Sequence, residues 1–85
     1  MAWFEFVWSF EVNGNVAHIG EHGLTPDDFE FVFHNFESET ISHQSGRPMR
    51  FGETSDGRYV SIIFEWIEND LTVYPVTAFE TKRQS

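Results

Sequence analysis

The sequence contains no cysteine, only 3 prolines and only 5 lysine or arginine residues in a chain of 85. Without cysteine there is no disulfide framework and no thiolate chemistry, which suits a reducing compartment and makes the cytoplasm the expected location. The few cations stand against 14 aspartates and glutamates, for a formal charge of −9. Proteins that grip nucleic acid or anionic bilayers draw affinity from Lys and Arg neutralising phosphates, and here only Arg47, Arg50, Arg58, Lys82 and Arg83 could do so. Tight non-specific binding to DNA, RNA or a membrane surface is therefore not expected, and a basic protein is the natural complement. Long apolar runs are also missing. No stretch approaches the roughly 20 residues that a spanning helix needs. The start, Met1-Ala2-Trp3-Phe4-Glu5, lacks the basic opening of a secretory signal. Repeats, low-complexity tracts and linker-like stretches are absent, so residues 1–85 read as one domain.

What the chain does have is aromatic mass. It is 40% hydrophobic, with 10 Phe, 3 Trp and 2 Tyr. Each such ring can bury about 150–250 Å², a large apolar load for a chain that can bury only about two-thirds of its unfolded surface. A folded core is expected, not disorder.

Residues 3–8 (Trp-Phe-Glu-Phe-Val-Trp) read as a strand, and Phe4, Phe6, Trp8 and Phe10 share the face that should be buried. Val12, Val16 and Ile19 keep a helical spacing within 11–22, with Gly23 as its left-handed terminator. The clearest local signal follows. Thr25 is an N-cap, Pro26 suits the first helical position, and Asp28 sits three residues after the cap. Phe29, Val32, Phe33 and Phe36 continue as one stripe, with Phe31 off it.

From residue 39 the helical period gives way to β-rich runs at 39–44, 49–54, 59–67 and 71–79. Turn signals at Ser45-Gly46-Arg47-Pro48, Ser55-Asp56-Gly57-Arg58 and Glu68-Asn69-Asp70 separate them. Pro75 lacks an N–H, so its strand is at an edge or bulged there. The expected architecture is α+β in the order β-α-α-β-β-β-β, with two helices packed on a mostly antiparallel sheet.

Asp56-Gly57 as a two-residue type I′ turn sets a register in which Glu53 opposes Val60 and Phe51 opposes Ile62. The core face then carries Phe51, Ile62, Phe64 and Trp66, and the opposite face Arg50, Tyr59, Ser61, Ile63 and Glu65. A tight turn at Asn69-Asp70 places Glu65 across from Tyr74, and Ile63 across from Val76. Arg50, Glu65 and Tyr74 would then converge. His43 joins them if the Ser45–Pro48 loop has an even count, whereas burying Ile41 calls for a bulge that turns His43 inward. Either this cluster has chemistry to do, or it is a cross-strand ion pair covered by a tyrosine.

His18-Ile19-Gly20-Glu21-His22 matches H-x-x-E-H, in which two His at i and i+4 can hold zinc. A third ligand and a cleft are not apparent, and the glycines make a poor platform. His18 and His22 therefore remain a weak metal alternative, with favourable interaction between His22 and the helix's last carbonyls as the ordinary role. Gly-rich phosphate loops and nucleophile elbows are absent, and nothing calls for a cofactor.

Trp8, Asn15, His18 and His22-Gly23, the capped helix with Phe29 and Val32-Phe33, then Arg50-Phe51-Gly52, Asp56-Gly57-Arg58 and Val76-Thr77-Ala78-Phe79 resemble BrnT-type toxins of the RelE/ParE-like superfamily. The likeness spans nearly the whole chain. It implies a small toxin of a toxin–antitoxin pair, a metal-independent ribonuclease that inhibits translation and is neutralised by a DNA-binding antitoxin. On that reading Arg50 is the cation that stabilises the crowded phosphate, and Tyr74, His43 and Glu65 are proton-transfer candidates. RNA is a partner only if the chain is toxin-like. The alternatives are a non-catalytic acidic module that recognises a basic protein, and a homodimer formed through exposed aromatics such as Phe31.

Overall fold

The computed structural model describes residues 4–67 and 71–82. The elements follow in the order β1 (Glu5–Phe6), α1 (Asn15–Gly20), α2 (Pro26–His34), β2 (Ser38–Ile41), β3 (Pro48–Glu53), β4 (Tyr59–Ile67) and β5 (Thr72–Glu80). They form a five-stranded sheet in the order β1-β5-β4-β3-β2. Only the β1–β5 pairing is parallel. This is the expected α+β fold, with α2 against β3 and β4 and α1 against β5.

Local chemistry explains α2. Thr25 Oγ1 accepts the Asp28 N–H at 3.2 Å, the Asp28 carboxylate accepts the Thr25 N–H at 3.0 Å, and Pro26 starts the helix. Phe29, Val32 and Phe33 enter the core, where they meet Ile19, Val60, Ile62 and Phe64. Phe36 lies beyond the helix and stays partly exposed.

The first helix is shorter than the 11–22 expected from spacing. Residues 9–14 reverse direction instead, and Val12 is 88% exposed. The backbone at Gly14 lies so close to Ser9 that an added Cβ would sit 2.5 Å from the Ser9 carbonyl oxygen, which leaves room for nothing but glycine. At the other end Gly23 (φ 77) does terminate the helix, letting the Leu24 N–H return to the Ile19 carbonyl at 3.1 Å.

Phe4, Phe6 and Trp8 pack on the core as the alternation implies, with Phe6 5.1 Å from Phe33 and Trp8 5.3 Å from Phe29 between ring centroids. Phe10 departs from this pattern at 80% exposed, because the strand ladder ends at Phe6 and the chain turns at Ser9. Buried Asn15 holds that turn in place. Its amide donates to the carbonyls of Val7 (2.8 Å) and Pro75 (3.0 Å) and its oxygen accepts the Ser9 N–H (2.8 Å). Pro75 itself sits at a bulge, where the register moves from Ile63↔Thr77 to Phe64↔Pro75. Ile63 therefore opposes Thr77 and not Val76. Glu65 opposes Tyr74 as expected. The turn expected at Glu68-Asn69-Asp70 lies outside the described residues.

The β3–β4 hairpin differs from the expected register by one residue. Glu53 pairs with Tyr59, Phe51 with Ser61 and Arg50 with Ile62. The loop between Thr54 and Arg58 has three residues, closed by the Thr54 N–H to the Arg58 carbonyl at 2.8 Å, with Gly57 at φ 89. A type I turn followed by a left-handed glycine is the standard three-residue solution. The Thr54 hydroxyl bonds the Asp56 carboxylate and accepts the Arg58 N–H, which fixes the loop from within. A slip of one residue exchanges the faces of a strand. Phe51 therefore leaves the core face, and Arg50 and Gly52 take it.

Candidate functional site: the open face of the sheet

Two cross-strand rows cover the face turned away from the helices. One runs Thr40, Met49, Ile63, Thr77; the next runs Ser38, Phe51, Ser61, Phe79. Tyr59 stacks near-parallel on Phe51, with ring centroids 6.4 Å apart and 17° between planes. Met49, Phe51, Tyr59, Ile63, Thr77 and Phe79 are half-buried, Ser38 and Thr40 on the outermost strand are exposed, and Ser61 between them is only 1% exposed, with no hydrogen-bond partner for its Oγ. Two adjoining hollows open between them. One, of about 430 Å³, lies between Ser38, His43, Phe51, Tyr59, Thr81 and Lys82. The other, of about 480 Å³, is walled by Met49, Phe51, Ile63, Thr77 and Phe79 beneath the β2–β3 turn.

The sequence-derived cluster comes together only in part. Glu65 and Tyr74 face each other across β4 and β5. The cation beside them is Arg47, whose Nε donates to Glu65 Oε1 at 2.7 Å. Arg47 carries no periodic signal, since it sits in a turn. His43 lies in that same exposed turn and lines both hollows, so it shares the open face with Glu65 and Tyr74. Burial of Ile41 does not occur: it is 55% exposed on the outermost strand, opposite Pro48.

Arg50 is on the other side of the sheet, contrary to the expected convergence. Its guanidinium lies 4.1 Å from the centroid of Phe36 and 4.4 Å from that of Phe33, with Phe64 at 5.3 Å and Trp66 at 5.9 Å. It donates to Glu39 Oε2 at 2.7 Å and to the Phe33 carbonyl at 3.0 Å. The side chain is 13% exposed. Held between aromatic faces, with Nε on a carboxylate and Nη1 on a backbone carbonyl of α2, the guanidinium acts as a strut between α2 and the sheet. It cannot face a phosphate on the open side.

Arg58 is also engaged. It donates to the Gly23 carbonyl (2.7 Å), to Asp28 (3.0 Å) and to Asp56 (3.2 Å), joining both helix termini to the β3–β4 loop. The Thr54 hydroxyl, and then the Arg58 guanidinium, hold the Asp56 carboxyl below its ordinary value of 3.8. The same Asp56 contact raises Arg58 further.

His18 and His22 lie 5.9 Å apart between ring centroids, and Glu21 approaches His18 at 3.9 Å. Both histidines are exposed, and His22 faces Phe79 at 6.3 Å. Among the described residues no group of three or more His, Cys, Asp or Glu side chains could hold a metal ion. No described helix is long and apolar enough to cross a membrane. No family model, curated protein or solved structure matches the chain.

Proposed function

We propose that the protein is a non-catalytic binding module that holds a basic protein partner against the open face of its sheet. One observation carries this reading. Each described arginine is already in an ion pair, Arg47 with Glu65, Arg50 with Glu39 and Arg58 with Asp28, while the chain as a whole carries −9. Surplus acid attracts a cationic protein and repels a polyanion. The half-buried rings of Phe51, Tyr59 and Phe79 supply the apolar contact that charge alone does not. An antitoxin-like basic protein, of the kind the likeness to BrnT-type toxins implies, is the partner that the net charge of −9 favours. The test is affinity capture from source cells at low salt, followed by a salt gradient, in parallel on the wild type and Phe51→Ser. Basic proteins should elute as salt rises and should be poorly retained by the variant. Retention indifferent to both salt and the substitution contradicts the reading.

A second reading, metal-independent cleavage of RNA as in a toxin, draws support from one feature. His43, Tyr59 and Lys82 border a single hollow and could serve as base, acid and cation without Arg50. Expression in a bacterial host would then arrest growth, and His43→Ala would relieve the arrest. Unimpaired growth at high expression sinks this alternative.

A further inference from the structure

We propose that the outer edge of β2 takes up an extended, Lys- or Arg-bearing segment of the partner as an added strand. This deepens the binding-module reading and rests on it. β2 is the last strand of the sheet, and all four of its residues are exposed. Its hydrogen-bond phase follows from two facts. The Ser42 N–H donates to the Arg47 carbonyl at 2.8 Å, and Ile41 stands opposite Pro48, which has no N–H to give. Bonded and non-bonded pairs alternate in an antiparallel ladder. Ser38 and Thr40 therefore face β3, while Glu39 and Ile41 direct their N–H and C=O groups outward, where no described element pairs with them.

The flanks of this edge suit a guest strand. Successive side chains of a strand point to opposite faces of the sheet. On the helix side a hollow of about 370 Å³ lies against Glu39, Ile41, Pro48 and Trp66. On the open side the hollow of about 480 Å³ adjoins Thr40. An added strand would place alternate side chains in each, so that main-chain bonds give affinity and the two hollows give selectivity. Charge decides the occupant. The Glu39 side chain is 43% exposed even with Arg50 bound, and a carboxylate has acceptor sites for a further donor. A Lys or Arg on the helix-side face of the guest would meet it. A second copy of this chain would bring its own Glu39 and another −9, so self-pairing along this edge is opposed.

The experiment pans displayed random nine-residue segments on the full chain at low salt, then measures the selected peptides in solution. Two readouts isolate strand addition. Ile41→Pro removes one outward N–H and no bond to β3; its fold is checked by circular dichroism. Backbone N-methylation of the peptide in each of its two alternating phases leaves the protein untouched. The selected segments should alternate apolar with Lys or Arg residues. They should lose at least tenfold in affinity on Ile41→Pro, and again on N-methylation in one phase but not the other. Selected basic peptides indifferent to Ile41→Pro and to both methylation phases overturn strand addition while leaving the binding-module reading in place. Failure to select any salt-sensitive basic segment removes both.

Discussion

Ile62 and Ile63 are adjacent on β4, yet they serve different surfaces. Ile62 is fully buried beneath α2, whereas Ile63 is half-exposed in the wall of an open hollow. The same contrast runs through the sheet. The helix-covered face gathers Val60, Ile62, Phe64, Val73 and Ala78 into one dry core with Phe29 and Phe33. The other face mixes rings with hydroxyls and leaves them partly wet. The arginines divide likewise, Arg50 packed among rings on the covered side and Arg47 bridging to Glu65 on the open side. One face is the packed core, and the other leaves rings and hydroxyls half-exposed to solvent.

The strongest way to break this contrast is Phe33→Ala. Phe33 is 1% exposed and touches Phe4, Phe6, Phe64 and Trp66. Its truncation should lower unfolding free energy by about 3–5 kcal/mol in urea denaturation. A loss under about 1 kcal/mol would mean that the core lies elsewhere.

The paired arginines sharpen the comparison. Arg50→Ala strips a charged donor from Glu39 and the Phe33 carbonyl and unstacks two rings, with an expected loss of about 2–4 kcal/mol. Arg47→Ala should cost no more than about 1 kcal/mol, because its partner is well solvated. Equal effects would erase the distinction between the faces.

A smaller change tests the register. Gly52 faces the end of α2, and a Cβ there would sit 3.2 Å from Phe36 Cα and 3.3 Å from the Asn35 carbonyl oxygen. Gly52→Ala should destabilise by about 1–2 kcal/mol, since backbone must shift to admit the methyl. A neutral result would point to the register in which Phe51, not Gly52, lies under the helix.

The smallest effect is on acid stability. The Asp56 carboxyl is depressed in the folded chain, so its contribution is complete above its ordinary 3.8 and fades as pH falls through the lower folded value. Asp56→Asn should flatten the decline of the melting temperature in that acid range and leave the neutral-pH slope alone. An unchanged acid decline would show that the loop contact contributes nothing.

Much of this architecture was legible in the sequence, where the deciding interactions are local. The Thr25–Asp28 box, Pro26 and the Phe29–Val32–Phe33 stripe specify α2 within one stretch of chain, and Gly23 marks its predecessor's end. Pro75 pointed to an edge strand or a bulge, and β5, flanked by β1 and β4, takes the bulge. The facing of β3 was not legible, because Asp56-Gly57 is compatible with a two-residue and a three-residue loop. The choice rests on the Thr54–Asp56 contact and on Arg58 reaching Gly23 and Asp28, partners from distant parts of the chain. That single residue of slip removed Arg50 from the candidate site. The Glu65–Tyr74 pair survived because it is set by the β4–β5 register, which the slip of β3 against β4 leaves untouched. Arg47 and Lys82 were missed as site residues because a turn and a strand end give no periodicity to read.

Hydrogen–deuterium exchange of the full chain, free and saturated with a selected basic peptide, tests the division of the two faces most directly. Protection should appear at Glu39 and Ile41 and along the open-face rows through Phe51 and Phe79, with the outer surfaces of α1 and α2 unchanged. Protection confined to those helices, with the β2 edge exchanging as before, would contradict it.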